Sequence, residues 1–326
     1  RGTIIIVMVV SSNRTNIPVG WAWGPGENER TISMILKLIK QVNSQIETMI
    51  SDDGAALKTS INEVFPNATH TIYAWHLGKS IRDKETRNLF WKLVKSDHPI
   101  IFQSHLCELI KMTDNQLPDT LLNAKLNSFS TYFEKIKMNE LKTSSPCESI
   151  NADIKHLKTE YPIKVFHFLE ILGFSRCVDL LELNTDMTPY FLKRRQHLLQ
   201  KVQQMLILDE DEYSTHRTII DTKYTNPSIR WEVDTRVFHC CCGKYEDRCF
   251  PCAHVLKALQ DMDQPIDNYI HQSYYTATIR NALKNVNKPV PLTFLEEDPI
   301  IRAPPSHSRN SKVSRYLFGF EKSQNK

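Results

Sequence analysis

Five of the eight cysteines crowd into one short stretch, at Cys240, Cys241, Cys242, Cys249 and Cys252, and His254 follows. Thiolates and imidazoles are the ligands zinc prefers, and a structural zinc site closes with four of them in a tetrahedron. Cys240 and Cys242 form a Cys-x-Cys pair. On an extended chain side chains alternate in direction, so this spacing puts both sulfurs on one face and turns Cys241 to the other. Gly243 then permits a sharp turn. Cys252 and His254 close the set from the start of a helix expected over Val255–Met262, with Val255, Leu259 and Met262 facing a small core. The reading is one structural zinc held by Cys240, Cys242, Cys252 and His254. Cys241 and Cys249 stand as substitute ligands, and His239 reads as a surface strand residue. The plain alternative is a set of buried free cysteines beside a core histidine. A disulfide scaffold would instead spread its cysteines through a small secreted chain.

The elements that must position these residues follow from periodicity. Thr3–Val10 is β-branched and reads as a strand, Ser11–Asn16 as a turn, and Pro18–Trp23 as the partner strand of a hairpin. Ile32, Ile35, Leu36, Ile39 and Val42 recur at helical spacing, which predicts an amphipathic helix over Glu27–Asn43. Glu47–Ser51 reads as a short strand ending at Asp52-Asp53-Gly54. A helix carrying Leu57, Ile61 and Val64 follows, then a strand over Thr69–Trp75 and a helix from about His76. This alternation predicts an α/β core. A helical insertion is expected at about 84–141, and further helices run to about Asp209. Asp209–Glu212 reads as an acidic linker, and Ile229–Val237 as the strand leading into the cysteine cluster. Beyond Met262 the pattern is irregular. The expected divisions are a core over 1–160, a helical extension and linker over 161–225, a zinc module over 226–262 and a basic tail over 263–326.

Composition restricts the classes of function. The chain has 326 residues, 41% hydrophobic and 24% charged, which is enough for two domains with ordinary cores. Forty-one basic residues against 37 acidic ones give a net charge of +4, too mild by itself to mark a nucleic-acid binder. Charge collects at the end, where Arg302, Arg309, Lys312, Arg315, Lys322 and Lys326 face the single acid Glu321. Such a tail suits phosphate contact or nuclear import, or is simply a solvated end. The apolar run Ile4–Val10 is far too short to span a bilayer, so no membrane partner is expected. Trp21, Trp23, Phe65, Trp75 and Trp91 read as core packing rather than as stacking platforms. His70, His156 and His167 carry no ligand spacing.

Several of these motifs together resemble a known family. Cys-x-Cys, a spacer and Cys-x-His, with the run Phe250-Pro251-Cys252-Ala253-His254-Val255-Leu256, resembles the SWIM zinc finger. Before it come Ile17–Ala22 with Gly26-Glu27-Asn28, then Ser51-Asp52, Val64–Ala68 and Trp75-His76-Leu77, then Thr143–Asn151. In this order they resemble the Mutator-like element transposases, which carry a SWIM finger toward their C-terminal side. The resemblance implies an RNase H-like core with a helical insertion, followed by a small zinc-bound ββα module. It also implies a triad of two Asp and one Glu holding two magnesium or manganese ions for strand cleavage and joining. Asp52 falls at the second position and Glu148 at the third. The opening strand that should bear the first Asp precedes Arg1, so the chain is expected to be truncated at its start and inactive in strand transfer. Tyr73 stands where many members have a cysteine. The plain readings are that Asp52 and Asp53 cap the next helix, and that Ser145-Pro146-Cys147-Glu148 is a capping box. Expected functions are a zinc-binding, DNA-binding derivative located in the nucleus, an active transposase in full-length form, or a protein-interaction module without catalysis.

Overall fold

A computed structural model describes residues 2–52, 54–72, 74, 78, 81–113, 146–157, 160–208, 215–237 and 239–289, with backbone alone at 146–148. In chain order the elements are β1 (Thr3–Val10), β2 (Asn16–Gly24), α1 (Glu29–Val42), β3 (Thr48–Ser51), α2 (Ala55–Val64) and β4 (Thr69–Ile72). Next come α3 (Lys84–Val94), α4 (Pro99–Met112), α5 (Pro146–Asp153), α6 (Pro162–Leu181) and α7 (Pro189–Val202). The last group is β5 (Met205–Ile207), β6 (His216–Asp221), β7 (Trp231–Asp234), β8 (His239–Cys240), α8 (Lys244–Arg248), α9 (Ala253–Asp261) and α10 (Thr276–Leu283). The fold is mixed α/β with small sheets. The described strands form three of them, β1-β2, β3-β4 and β5-β6-β7-β8, rather than one continuous sheet. The chain gathers into two compact units, one from 1–70, 145–190 and 273 onward, the other from 71–144 and 191–272.

The first unit is built on the β1-β2 hairpin, antiparallel from Thr3 opposite Gly24 to Val10 opposite Asn16. Its turn is closed by Ser11, whose hydroxyl accepts from the Asn13 and Thr15 amides. Neighbouring strand residues point to opposite faces, and β1 is apolar on both, with Ile5 and Ile6 buried to either side while Val9 near its far end stays exposed. On one face Ile5 and Ala22 meet Ile32, Ile35 and Leu36 of α1, with Leu57, Ile61 and Val64 of α2 and Phe65 behind them. On the other face Ile6 meets Ile150, Ile154, Val165 and Leu169 from α5, α6 and the turn between them. Asn28 caps α1 by accepting from the Thr31 amide at 2.9 Å.

Two expectations about this unit change. The stretch after Met262 is not wholly irregular, since α10 forms and Ile279 packs with Ile17, Cys177 and Leu180. Trp23 is not core: its indole lies against Gly2, where the described chain begins, and it stays 48% exposed.

The second unit combines the helical pair α3-α4 with the four-stranded sheet. Leu89, Phe90, Leu93 and Val94 of α3 pack on Phe102 and Leu109 of α4. The sheet is antiparallel throughout, with Met205 opposite Asp221, Ile219 opposite Trp231, and Val233 opposite Cys240. Helix α9 lies across all four strands. The module is therefore larger than the ββα unit expected, because β5 and β6 join it from the stretch read as a helical extension and linker. The reason is polar burial. Arg217 and Thr218 are buried in β6, Arg217 by an ion pair at 3.1 Å with Asp261 of α9, and Thr218 by donating to Glu232 of β7. Those two residues conceal the strand's apolar alternation.

Several expectations lie outside the described residues: Tyr73, Trp75 and the helix beginning at His76, the insertion beyond 113, the possible capping box at Ser145, the acidic linker at 209–212 and the basic tail. No described helix is long and apolar enough to cross a membrane.

The seating of α6 gives a direct test. A Cβ added at Gly173 would stand 3.1 Å from the Pro18 carbonyl oxygen of β2. Gly173→Val brings a branched side chain into that backbone contact, and its expected cost is about 1–3 kcal/mol, typical of overpacking. A lower midpoint in urea denaturation is the result expected.

Candidate metal centre

The hairpin β7-β8 presents the first two sulfurs. Cys240 ends β8, and the chain turns at Gly243, whose φ of 65° lies in the left-handed region glycine enters freely. The Gly243 amide donates back to the Cys240 carbonyl at 2.9 Å, a tight turn that sets Cys242 beside Cys240. Cys241 points away, and its sulfur accepts from the Glu232 amide at 3.3 Å on β7. Cys252 is the N-cap of α9, its sulfur accepting from the Val255 amide at 3.4 Å, and His254 follows in the first turn. Phe250 and Pro251, both buried, seat this end, with the Phe250 ring edge-on to Phe191 at 5.4 Å.

The four side chains converge. Their donor atoms all lie within 4.8 Å of one another, and all four residues are buried. His254 turns Nδ1 toward the sulfurs, 3.5 Å from Cys240 Sγ and 3.9 Å from Cys252 Sγ. A tetrahedral zinc with ordinary bond lengths sets its sulfur–nitrogen edges at about 3.6 Å and its sulfur–sulfur edges at about 3.8 Å, so this donor set fits zinc. With four protein ligands and no open position it fits a structural ion. Cys249 lies outside the cluster, its Sγ directed to the Glu246 carbonyl, and exposed His239 pairs with Glu246 at 2.7 Å.

The sulfurs do not ionise alike. Burial opposes a thiolate at Cys252, but hydrogen bonds from Cys240, Cys242 and the Val255 and His254 amides outweigh it and hold its pKa well below the ordinary range. Burial pushes Cys240 and Cys242 up. Unliganded, the pocket thus favours one thiolate over three, and a dication would supply the charge needed for the rest.

Charge also gathers beside the cluster. Lys244, next after Gly243, reaches Asp97 in the turn between α3 and α4. Burial works against that carboxylate, yet Lys244 holds its pKa down at about 2. The Lys201 ammonium is weakened by burial and then by Lys244, Lys223 and Arg194, so four cations share this neighbourhood.

The two carboxylates expected to serve catalysis fare differently. Asp52 is buried just after β3, beside Ser51, whose hydroxyl is 2.7 Å from His70 Nε2 on β4. It does not cap α2, where Gly54 holds the N-cap with no side-chain hydrogen bond, and Asp53 lies outside the described residues. Glu148 lies in α5, which packs on β1 and β2, and its side chain is outside the described residues. What sequence reasoning missed is Glu27. Burial, with Asp52 as the nearest like charge, raises its pKa from 4.5 to about 7. The two acids stand 25 positions apart, and only the return of the chain after α1 brings them together. No known family pattern matches the chain, and no curated protein matches it in sequence.

Glu27 makes the first unit pH-dependent in a defined direction. Its folded pKa is raised, so its contribution to stability is complete below about 4.5 and is lost as pH climbs through about 7. Glu27→Gln removes that loss. Thermal melts should show the variant gaining on the wild type most above pH 7, with the gain fading toward pH 4.5.

Proposed function

We propose that the chain is a zinc-binding protein of the SWIM type whose remaining domain descends from a Mutator-like transposase, and that it binds DNA. The observation that carries the zinc reading is the convergence of Cys240, Cys242, Cys252 and His254 on one buried point. When bound, zinc would neutralise the thiolates and cross-link β8 and the knuckle to α9. The chain's own residues do the rest: Gly243 closes the tight turn over Cys240 to Cys242 with its amide, Cys252 caps α9, and Arg217 ties β6 to the far end of α9 through Asp261.

The transposase ancestry and DNA as partner rest on the order of the motifs, from Ile17–Ala22 through Asp52 and Glu148 to the cysteine cluster, which resembles that family's. An RNase H-like core and a nuclear location belong to the same reading. Lys201 and Lys223, exposed beside the cluster, suit phosphate contact. Glu27 and Asp52 are an acidic pair and not the two-Asp, one-Glu set that strand transfer with magnesium or manganese requires, so the function proposed is binding without chemistry.

Elemental analysis of protein purified under reducing conditions is expected to give about one zinc per chain, and Cys252→Ser to lose it. Absence of zinc from the wild type would sink the metal reading. In gel shifts, duplex DNA is expected to bind the zinc-loaded protein more weakly as salt rises and to be released by a chelator. Equal retention of DNA by the chelated protein would detach the DNA function from this module.

A further inference from the structure

We infer that Asp97 and His98, in the turn between α3 and α4, are positioning residues of the metal centre. This rests on the zinc reading above and assigns to the helical pair the task of holding the ligand geometry. Their two contacts reach opposite sides of the site.

Asp97 acts on the knuckle. Its carboxylate accepts from the Lys244 ammonium, and the side chains are only 16% and 21% exposed, which shields the pair from solvent. The Lys244 amide in turn donates to Cys242 Sγ at 3.5 Å. Fixing the Lys244 side chain fixes the backbone amide that faces the ligand sulfur. An exposed Lys–Asp pair would hold nothing in place, because water competes for both partners.

His98 acts on the opposite ligand. Its Nδ1 accepts from the Ile100 amide at 3.2 Å, capping α4, so Nε2 carries the proton and donates to the Arg230 carbonyl at 3.0 Å. That carbonyl precedes Trp231, the first residue of β7. The His98 ring meets the Trp231 indole edge-on at 5.4 Å and 72°, Tyr224 lies tilted against it at 5.6 Å and 49°, and His254 stacks on it at 4.5 Å and 16°. Trp231 Nε1 is buried and has no hydrogen-bond partner among the described residues, so ring contacts set the indole's orientation. His98 and Tyr224 therefore hold the Trp231 indole between them, and Trp231 sets the plane of His254.

The linkage runs both ways, because a metal that binds better when α3-α4 is docked must also stabilise that docking. The turn between α3 and α4 is itself held in place, since the Ser96 amide donates to the Leu93 carbonyl and the buried Ser96 hydroxyl bonds to the Lys92 carbonyl and His105 Nδ1.

The experiment uses the full chain loaded with cobalt(II), whose ligand-field bands report ligand identity and geometry. Asp97→Asn and His98→Asn, the latter keeping a helix-capping side chain, are expected to weaken cobalt affinity about 10- to 100-fold in chelator competition and to shift the bands. Exchanging the charges, Asp97→Lys with Lys244→Asp, is expected to recover part of the loss. Folded variants, judged by circular dichroism, with wild-type affinity and bands would overturn the inference. Should the variants fail to fold, hydrogen exchange on the wild type decides it. Zinc is expected to slow exchange at α3 and α4 amides, and unchanged rates there despite bound metal refute the assignment. A wild type that takes up no cobalt overturns the zinc reading instead, with a different signature.

Discussion

Three sulfurs and an imidazole are buried at one point, and burial makes that arrangement costly unless something balances it. Burial first, and then the neighbouring sulfurs, suppress ionisation at Cys240 and Cys242, while Cys252 draws hydrogen bonds from its neighbours and from two backbone amides. Such a pocket has charge balance for one thiolate. A dication shared by all four donors would supply the missing charge and turn the cluster into a cross-link.

The second unit is organised so that each ligand is held from behind. Gly243 turns the chain at the knuckle, Cys252 caps α9, Trp231 stacks on His254, and the Phe191–Phe250 contact seats the approach to Cys252. Around these the sheet supplies stiffness. Its buried polar residues are not errors of packing: Arg217 and Thr218 find Asp261 and Glu232, and a buried charge with a partner avoids the cost of a lone one. The module has a true core in Ile219, Val233, Val255 and Leu259, all almost wholly buried, so a bound metal would be one fastening among several.

The first unit obeys a different constraint. A hairpin buried on both faces needs helices on both, and α1 with α2 and α5 with α6 supply them. Where its strand β3 ends, chain return places Glu27 beside Asp52, and two acids in partly desolvated surroundings cannot both ionise cheaply.

The sequence by itself determined the local items. The β-branched run of Thr3–Val10, the helical spacing of Ile32 to Val42 and the Cys-x-Cys pair each depend on neighbours within a few positions. Backbone geometry converts such spacing directly into a face or a turn. The four converging donors were legible for the same reason, since each pair sits within three residues and only the distance between pairs was open. Tertiary structure alone decided what depends on distant segments. The contribution of β5 and β6 to the sheet was hidden because Arg217 and Thr218 break the apolar rhythm, and their partners Asp261 and Glu232 lie on other elements. Glu27 meets Asp52, and Asp97 meets Lys244 across 147 positions, only after the chain has folded. Charge pairing acts through space and leaves no period in the sequence.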